Sequence, residues 1–504
     1  MSEAGRASLS SGDFPLRPLL SQELKVVWLS LEGGSVKIEK ICTSLRRLAE
    51  DGAEVISRSE DVLVVSHIDA DGLTAAGVIC TALSRKGIDY TPLFFKQLDS
   101  RAIERIADAG SDLVIFTDLG SGMIQEISSF GIRAVIADHH RPGSAEIYRG
   151  IVHINPHLLG GDGATHISGS GTAFILANAM GRNEDLSALA VVGAVGDLQD
   201  LSSGRLVGLN RRIIEVGSRA GVLSFGPDLK LFGKQTRPVF KMLEYSTDPY
   251  IPGLSGDEEA CISFLKEIGI RLGGERWRRW IDLDQDERAR IVSALIRHGL
   301  RSGIPGFRLE RLVGEVYTLS REREGTELRD ASEFSTLLNA TARYGHSRIG
   351  LDVCLGDRDR ALEEARLLLS QHRQNLLNGI KLVKERGLVQ LSHIQYFDAG
   401  EEILDTIVGI VAGMVFQIAD RSKPILAFAA TPDGMLKVSA RGTQDLVRAG
   451  LDLSRAVSAS ANEVGGVGGG HSIAAGATIP PQSRDEFLSI IDRVIGEQMK
   501  SRGS

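Results

Sequence analysis

A chain of 504 residues with 42% hydrophobic and 24% charged side chains is too long for one ordinary core and has a globular composition, so two or three domains are expected. No stretch of about 18 apolar residues exists, and no basic segment runs into an apolar one near the start; neither a membrane span nor a secretory leader is expected, and the cytoplasm is the default. A net charge of -7 confines any nucleic-acid contact to a local basic groove, and Cys42, Cys80, Cys261 and Cys354 lack the C-x-x-C spacing of a zinc ribbon.

Residues 1–34, with Ser, Gly, Pro and few large apolar side chains, read as an N-terminal tail. Ser35 is placed to cap a helix in which Ile38, Ile41, Leu45 and Leu48 recur at helical spacing. Val62 to Val65 is a short buried strand, after which His67, Asp69 and Asp71 stand at every second position ahead of Gly72 and a small-residue helix. In an extended backbone alternate side chains share a face, so these three point into one pocket past the strand's end. Strands near 91–95, 112–117 and 133–137 alternate with helices near 102–108 and 123–130. That alternation predicts an α/β fold over 35–201, with a parallel sheet covered by helices on both faces.

Each of these strands delivers candidate ligands, where open α/β sheets put their sites. LVIFTDLG brings Asp118, and AVIADHH brings Asp138, His139 and His140. After a Ser-Gly-Ser-Gly turn at 168–171, a small-residue helix from about Ala188 reaches GAVGDLQD, with Asp197 and Asp200. A single Asp at such a place is usually a helix cap, and a single His a satisfied core residue. An apolar strand running into Asp-His-His has no packing rationale, because burying those groups costs several kcal/mol unless they are paired or metallated. The set His67, Asp69, Asp71, Asp118, His139 and Asp197 suits two octahedral Mn²⁺ or Mg²⁺ ions better than tetrahedral zinc, and two such ions suit phosphoester hydrolysis.

From 202 to 356 the pattern loosens into an expected insertion or helical subdomain, punctuated by Pro227, Pro238, Pro249, Pro252 and Pro305, with one amphipathic helix near 286–299. Within it GERWRRW interleaves Arg276, Arg278 and Arg279 with Trp277 and Trp280, either as a base-stacking, phosphate-binding surface or as a helix with two core tryptophans and a solvated basic face. The helical pattern of 357–386 should connect two lobes. Beyond it, 387–504 reads as a second, smaller α/β domain with strands near 389–392, 424–430 and 436–440 and a closing helix near 487–499. LKVSARG presents Ser439 and Arg441 at a strand end, and arginine clamps phosphodiesters bidentately. VGGVGGGHSIAAG then sets Gly468, Gly469 and Gly470 before His471 and an expected small-residue helix, a loop whose backbone can approach a phosphate closely.

HIDADG, TDLG, ADHH, GAVGD and the late GGVGGGH, in this order, resemble the motifs of the DHH phosphoesterase superfamily with its DHHA1 partner domain, and the spacing is similar to RecJ-type nucleases. SGSGTAF and LEYSTDPYIPGLSGDE look most like the archaeal RecJ homologues, including the nuclease that binds the GINS replication complex. The resemblance implies that Asp69, Asp71, Asp118, His139 and Asp197 bind metal, that His67 joins them where bacterial relatives often have Asp, and that His140 meets the substrate phosphate or leaving group. It also implies that Asp138 orients His139, and that the 468–471 motif, with Ser439 and Arg441, grips substrate. The expected function is a Mn²⁺-dependent, or Mg²⁺-dependent, exonuclease releasing mononucleotides from single-stranded DNA or RNA in replication, repair or RNA processing, with GINS as an expected partner. A short-oligonucleotide or cyclic-dinucleotide phosphodiesterase is the alternative in the same chemistry, and a replication scaffold the alternative outside it.

Overall fold

The computed structural model describes residues 35–500 apart from 247–249, 275 and 418; the expected tail, 1–34, lies outside them. Five strands, β1 (Asp61–His67), β2 (Asp89–Phe95), β3 (Leu113–Thr117), β4 (Ala134–Ala137) and β5 (Ile151–Ile154), form a parallel sheet of order β2-β1-β3-β4-β5. β3 and β4 are buried at every position, because a parallel sheet is covered on both faces and its strands read as unbroken apolar runs. Alternation sorts β1: Val62 and Val64 enter the core with helices Ser35–Ser57, Ala70–Lys86, Gly169–Met180 and Ser187–Gly196, whereas Leu63 and Val65 face helices Ser100–Asp108 and Ile124–Ser129. β5 went unread in the sequence since its four residues include His153 and lie on an edge. The Ser-Gly-Ser-Gly stretch is not a free turn; Ser168 caps a helix whose first residue is Gly169, accepting from Gly171 N.

Residues 202–356 contribute to two cores. β6 (Leu223–Leu229) and β7 (Val313–Leu319) pair antiparallel, and the segment between them has its own core around Leu243, Cys261, Leu265, Trp280, Ile291 and Leu295. Helices Ala331–Arg343 and Ser347–Cys354 instead return Phe334, Leu337, Leu338 and Leu351 to the core of the first sheet. GERWRRW is irregular and not a helix: Trp280 is 1% exposed and its Nε1 donates to Asp228, while Trp277 is 52% exposed and packs edge-on against Phe240. Its arginines are spent within the fold, Arg278 on Glu287 and both Arg276 and Arg279 on Asp282.

The helix Arg360–Arg386 does join the lobes. Leu362, Ala365 and Leu369 lie in the first core, and Val383, with Leu376 and Ile380 beside it, in the core of the second lobe. That lobe is a six-stranded mixed sheet of order β12-β13-β11-β10-β9-β8, built from β8 (Val389–Gln390), β9 (Gln395–Asp398), β10 (Ile425–Ala430), β11 (Leu436–Arg441), β12 (Val467–Gly470) and β13 (Ala474–Ile479). Helices Leu453–Glu463 and Arg484–Lys500 cover one face. The expected glycine loop followed by a helix is corrected: β12 and β13 form an antiparallel hairpin, and a strand, not a helix, comes directly after His471. Small residues suggested a helix, but Ala475, Ala477 and Ile479 are buried at period two, the signature of a strand.

Candidate metal centre and the facing lobe

The ligand positions cluster at the carboxyl ends of β1, β3 and β4. The strand reading of His67, Asp69 and Asp71 needs correction, because β1 ends at His67, Asp69 is the N-cap of helix Ala70–Lys86, and Asp71 lies in that helix's first turn. They still converge, since the chain reverses here: Gly72 sits so close to β1 that a Cβ would lie 2.3 Å from the His67 carbonyl oxygen. His67 Nδ1 is 3.0 Å from Asp69 and 3.6 Å from Asp118. Asp71 is 2% exposed and accepts from Gly169 N at 2.7 Å and Ser170 N at 3.0 Å, so the Ser-Gly-Ser-Gly motif is the cradle of this carboxylate.

Asp118 stands between two groups. One contains His67, Asp69 and Asp118 and the other Asp118, His139 and His140, with His139 Nε2 3.2 Å from Asp118 Oδ1; a third, Asp71, His139 and Asp197, adjoins them through His139. The Asp118 backbone has φ 58, a left-handed conformation that costs a non-glycine residue about 1–2 kcal/mol and is held here by a hydrogen bond from Asp118 N to Ala137 O. Gly169 leaves room for it; a Cβ there would stand 2.3 Å from Asp118 Oδ1. His139 Nδ1 donates to the Gly163 carbonyl at 2.6 Å, which orients the ring and aims Nε2 at the carboxylates.

Asp138 works behind the cluster. Its Oδ1 accepts from His139 N (2.8 Å), His140 N (3.1 Å) and His140 Nδ1 (2.9 Å), and its Oδ2 from Ser121 N (3.0 Å). His140 is 58% exposed, with Nδ1 tied to Asp138 and Nε2 left toward solvent. Asp197, at the end of helix Ser187–Gly196, is held by Gln199 Nε2 at 2.9 Å, and Gln199 also spans to the Gly163 carbonyl. Asp200 turns away to Lys230.

Electrostatics describe a centre overloaded with carboxylate. Burial, then Asp118, pushes Asp71 up to about 8. Burial works against Asp118 too, yet hydrogen bonds with His139 and His67 hold it down at about 2. Burial would lower His67, but Asp118 and Asp69 push it up to about 11, and Asp118 likewise raises His139 against burial. Asp118 Oδ1 and His67 Nδ1 are buried without a well-formed hydrogen bond. Four carboxylates with two imidazoles, some of their atoms unsatisfied, fit hard divalent cations.

In the second lobe, Ser439 and Arg441 converge on Gly409, where a Cβ would lie 3.0 Å from Ser439 Oγ and 2.5 Å from Arg441 Nη2. Arg343, unnoticed in the sequence, bridges the lobes: it donates to the Thr406 carbonyl at 3.0 Å and lies within electrostatic reach of both Asp69 and Arg441. Asn339, one turn earlier, accepts from Ala70 N at 3.0 Å. Their spacing of four on one helix was the available signal. Gly468, Gly469 and Gly470 form the edge strand β12, and His471 is exposed at its turn with no side-chain hydrogen bond among the described residues.

Residues 61–196 match the DHH family, N-terminal domain, residues 231–313 the DHH-CID domain and residues 392–497 the DHHA1 domain. An uncharacterized protein of Methanocaldococcus jannaschii, MJ0831, is 32% identical over 469 residues, covering 92% of this chain and 98% of its own. The single-stranded-DNA-specific exonuclease RecJ of Bacillus subtilis is 29% identical over 173 residues, 31% of this chain and 21% of that protein. RecJ of Thermus thermophilus in complex with Mn²⁺ shares the fold with a TM-score of 0.55 at 18% identity, over 90% of this chain and 55% of that one.

Proposed function

Because this chain belongs to the RecJ-like DHH/DHHA1 family of phosphoesterases, we propose that it is a metal-dependent exonuclease acting on single-stranded nucleic acid. The observation that carries the reading is the overlap of three candidate metal-holding groups, in which Asp118 belongs with both His67–Asp69 and His139–His140, and His139 also belongs with Asp71 and Asp197. When bound, two Mn²⁺ or Mg²⁺ ions would supply a water ionised near neutral pH and take up charge on the attacking and leaving oxygens. The chain's own residues do the rest. Gly163 and Gln199 fix His139 and Asp197, and Asp138 holds His140 so that Nε2 can donate to a phosphate or leaving oxygen. Arg441, Ser439 and Arg343 offer donors across the cleft, and His471 with Gly468, Gly469 and Gly470 would meet phosphates further out.

A strand must pass between the lobes, and a duplex about 20 Å wide would force them apart, whereas a single strand threads through. The complete ligand set argues against a pure scaffold, although binding to a partner such as GINS is compatible with catalysis. The test is purified protein with Mn²⁺ and DNA or RNA strands labelled at either end. Stepwise loss of nucleotides from one end of a single strand is expected, and efficient digestion of blunt duplex would overturn the reading.

A further inference from the structure

β5 ends beside the Asp-His-His turn, and a buried polar chain stands there, one step behind the metal centre. Asn155 follows Ile154 directly and is fully buried. Its Nδ2 donates to the His140 carbonyl at 2.8 Å and to Ser121 Oγ at 2.8 Å, while its Oδ1 accepts from His157 N at 2.9 Å. The amide can face only this way, because a carbonyl oxygen only accepts and a backbone N-H only donates. Ser121 is buried too; its N donates to Asp138 Oδ2 at 3.0 Å, and its Oγ lies 2.8 Å from His153 Nε2.

These bonds close a ring that runs from Asn155 to Ser121, on to Asp138, through His140 and back to Asn155. His140 is held in it at three points, its N and Nδ1 on Asp138 Oδ1 and its carbonyl on Asn155. The side chain itself is 58% exposed, so packing does not fix the ring; the hydrogen bonds do. The exit of the turn is pinned to the same segment, since Gly143 N donates to the Ser121 carbonyl at 2.8 Å and a Cβ on Gly143 would lie 2.5 Å from the Gly122 carbonyl oxygen. A fully satisfied buried polar network rigidifies what it carries. His139 has its own hold on the Gly163 carbonyl, so the ring can be disturbed at His140 without unseating the neighbouring imidazole.

We propose that Asn155, with Ser121, is a positioning residue for His140: it locks the carbonyl at the end of the Asp-His-His turn, so that the exposed imidazole carries Nε2 to the substrate in one orientation. The inference rests on the nuclease reading, and its test keeps the two separable. Single-strand hydrolysis in saturating Mn²⁺, the Mn²⁺-induced thermal shift and amide hydrogen exchange are measured on the full chain carrying Asn155→Asp, His140→Ala or both. Asn155→Asp keeps the shape and the acceptor toward His157 N but sets an oxygen against the His140 carbonyl. It should lower kcat by about tenfold to a hundredfold and leave the Mn²⁺ shift in place. In the His140→Ala background the same change should cost less than about twofold, because a residue that acts through His140 has nothing left to position. Amides 139–143 should exchange faster than in the wild type. Ser121→Ala, which keeps the backbone bond to Asp138, should show the same pattern with a smaller loss, and it carries the test if Asn155→Asp fails to fold. Equal losses in both backgrounds, a lost Mn²⁺ shift or unchanged exchange would make Asn155 general scaffolding and overturn the proposal. A wild type that cleaves no strand, while Asn155→Asp still loosens 139–143, overturns the nuclease reading and upholds the hold on His140.

Discussion

Gly193→Ala adds one methyl group at the point where three helices meet behind the metal centre. An ideal Cβ there would lie 2.1 Å from Ser170 Oγ, 2.3 Å from Asp71 Oδ1 and 2.4 Å from Thr74 Oγ1, whereas real Cβ contacts essentially never fall below 3.0 Å. Two effects oppose each other. Alanine is favoured over glycine in a helix interior by about 1 kcal/mol. Overpacking costs about 1–3 kcal/mol, and the moved groups hold Ser170 Oγ to Ala190 O, Thr74 Oγ1 to Ala70 O and Asp71 to Gly169 N, each worth about 1 kcal/mol. The net should be a destabilisation of about 2–4 kcal/mol. Because Asp71 must retreat by a sizeable fraction of an ångström, hydrolysis should fall by about 10²-fold even at saturating Mn²⁺. Urea unfolding and single-strand hydrolysis measure the two losses. Gly413→Ala is the control: nothing lies within 4 Å of its Cβ, so it carries the propensity gain without the clash. Stability within about 0.5 kcal/mol of wild type, together with near-normal turnover, would refute the close-crossing argument.

Asp69→Ala, Asp118→Ala and His139→Ala should each lower hydrolysis by roughly 10³-fold or more, and wild-type turnover in any two would sink the ligand assignment. In thermal shift, Mn²⁺ at 100 times its Kd should stabilise the wild type by about 2.7 kcal/mol, and Asp118→Ala should lose that gain; an equal shift in both would place the metal elsewhere. Arg441→Ala should weaken single-strand binding with a smaller salt slope, and an unchanged slope would remove it from the cleft. Burial, then Asp330, raises Glu333 to about 7, so the folded state holds a proton the unfolded chain has released, and stability is lost as pH climbs through that window. Glu333→Gln should therefore flatten the decline in Tm between about pH 5 and 8, and parallel declines would show that burial does not hold that proton.

Most of the first sheet was legible in the sequence because β1, β3 and β4 are apolar runs that lead into His or Asp. Among the six candidate ligand residues, His67, Asp118 and His139 were legible for the same reason, whereas Asp69, Asp71 and Asp197 sit at helix ends. What they rest on was not. Gly169 and Ser170 read as a turn until the Asp71 carboxylate is seen on their amides, a contact across 98 residues. The 467–479 hairpin was misread because glycine and alanine carry almost no periodic signal, so only burial reveals period two. Arg343 is ordinary in sequence; what sets it apart is its hydrogen bond to the Thr406 carbonyl of the other lobe, which is a fact of three-dimensional arrangement.

The helix Arg360–Arg386 has a mechanical consequence. It is about 40 Å long, and each half is sunk in a different core. It therefore acts as an axle clamped at both ends: the jaws cannot swing apart about a loose joint, and any widening must bend or twist a continuous hydrogen-bonded rod. On the proposed function, the gap between the two lobes would behave like the throat of a fixed gauge, and a strand would be admitted according to its thickness before any base or sugar is inspected.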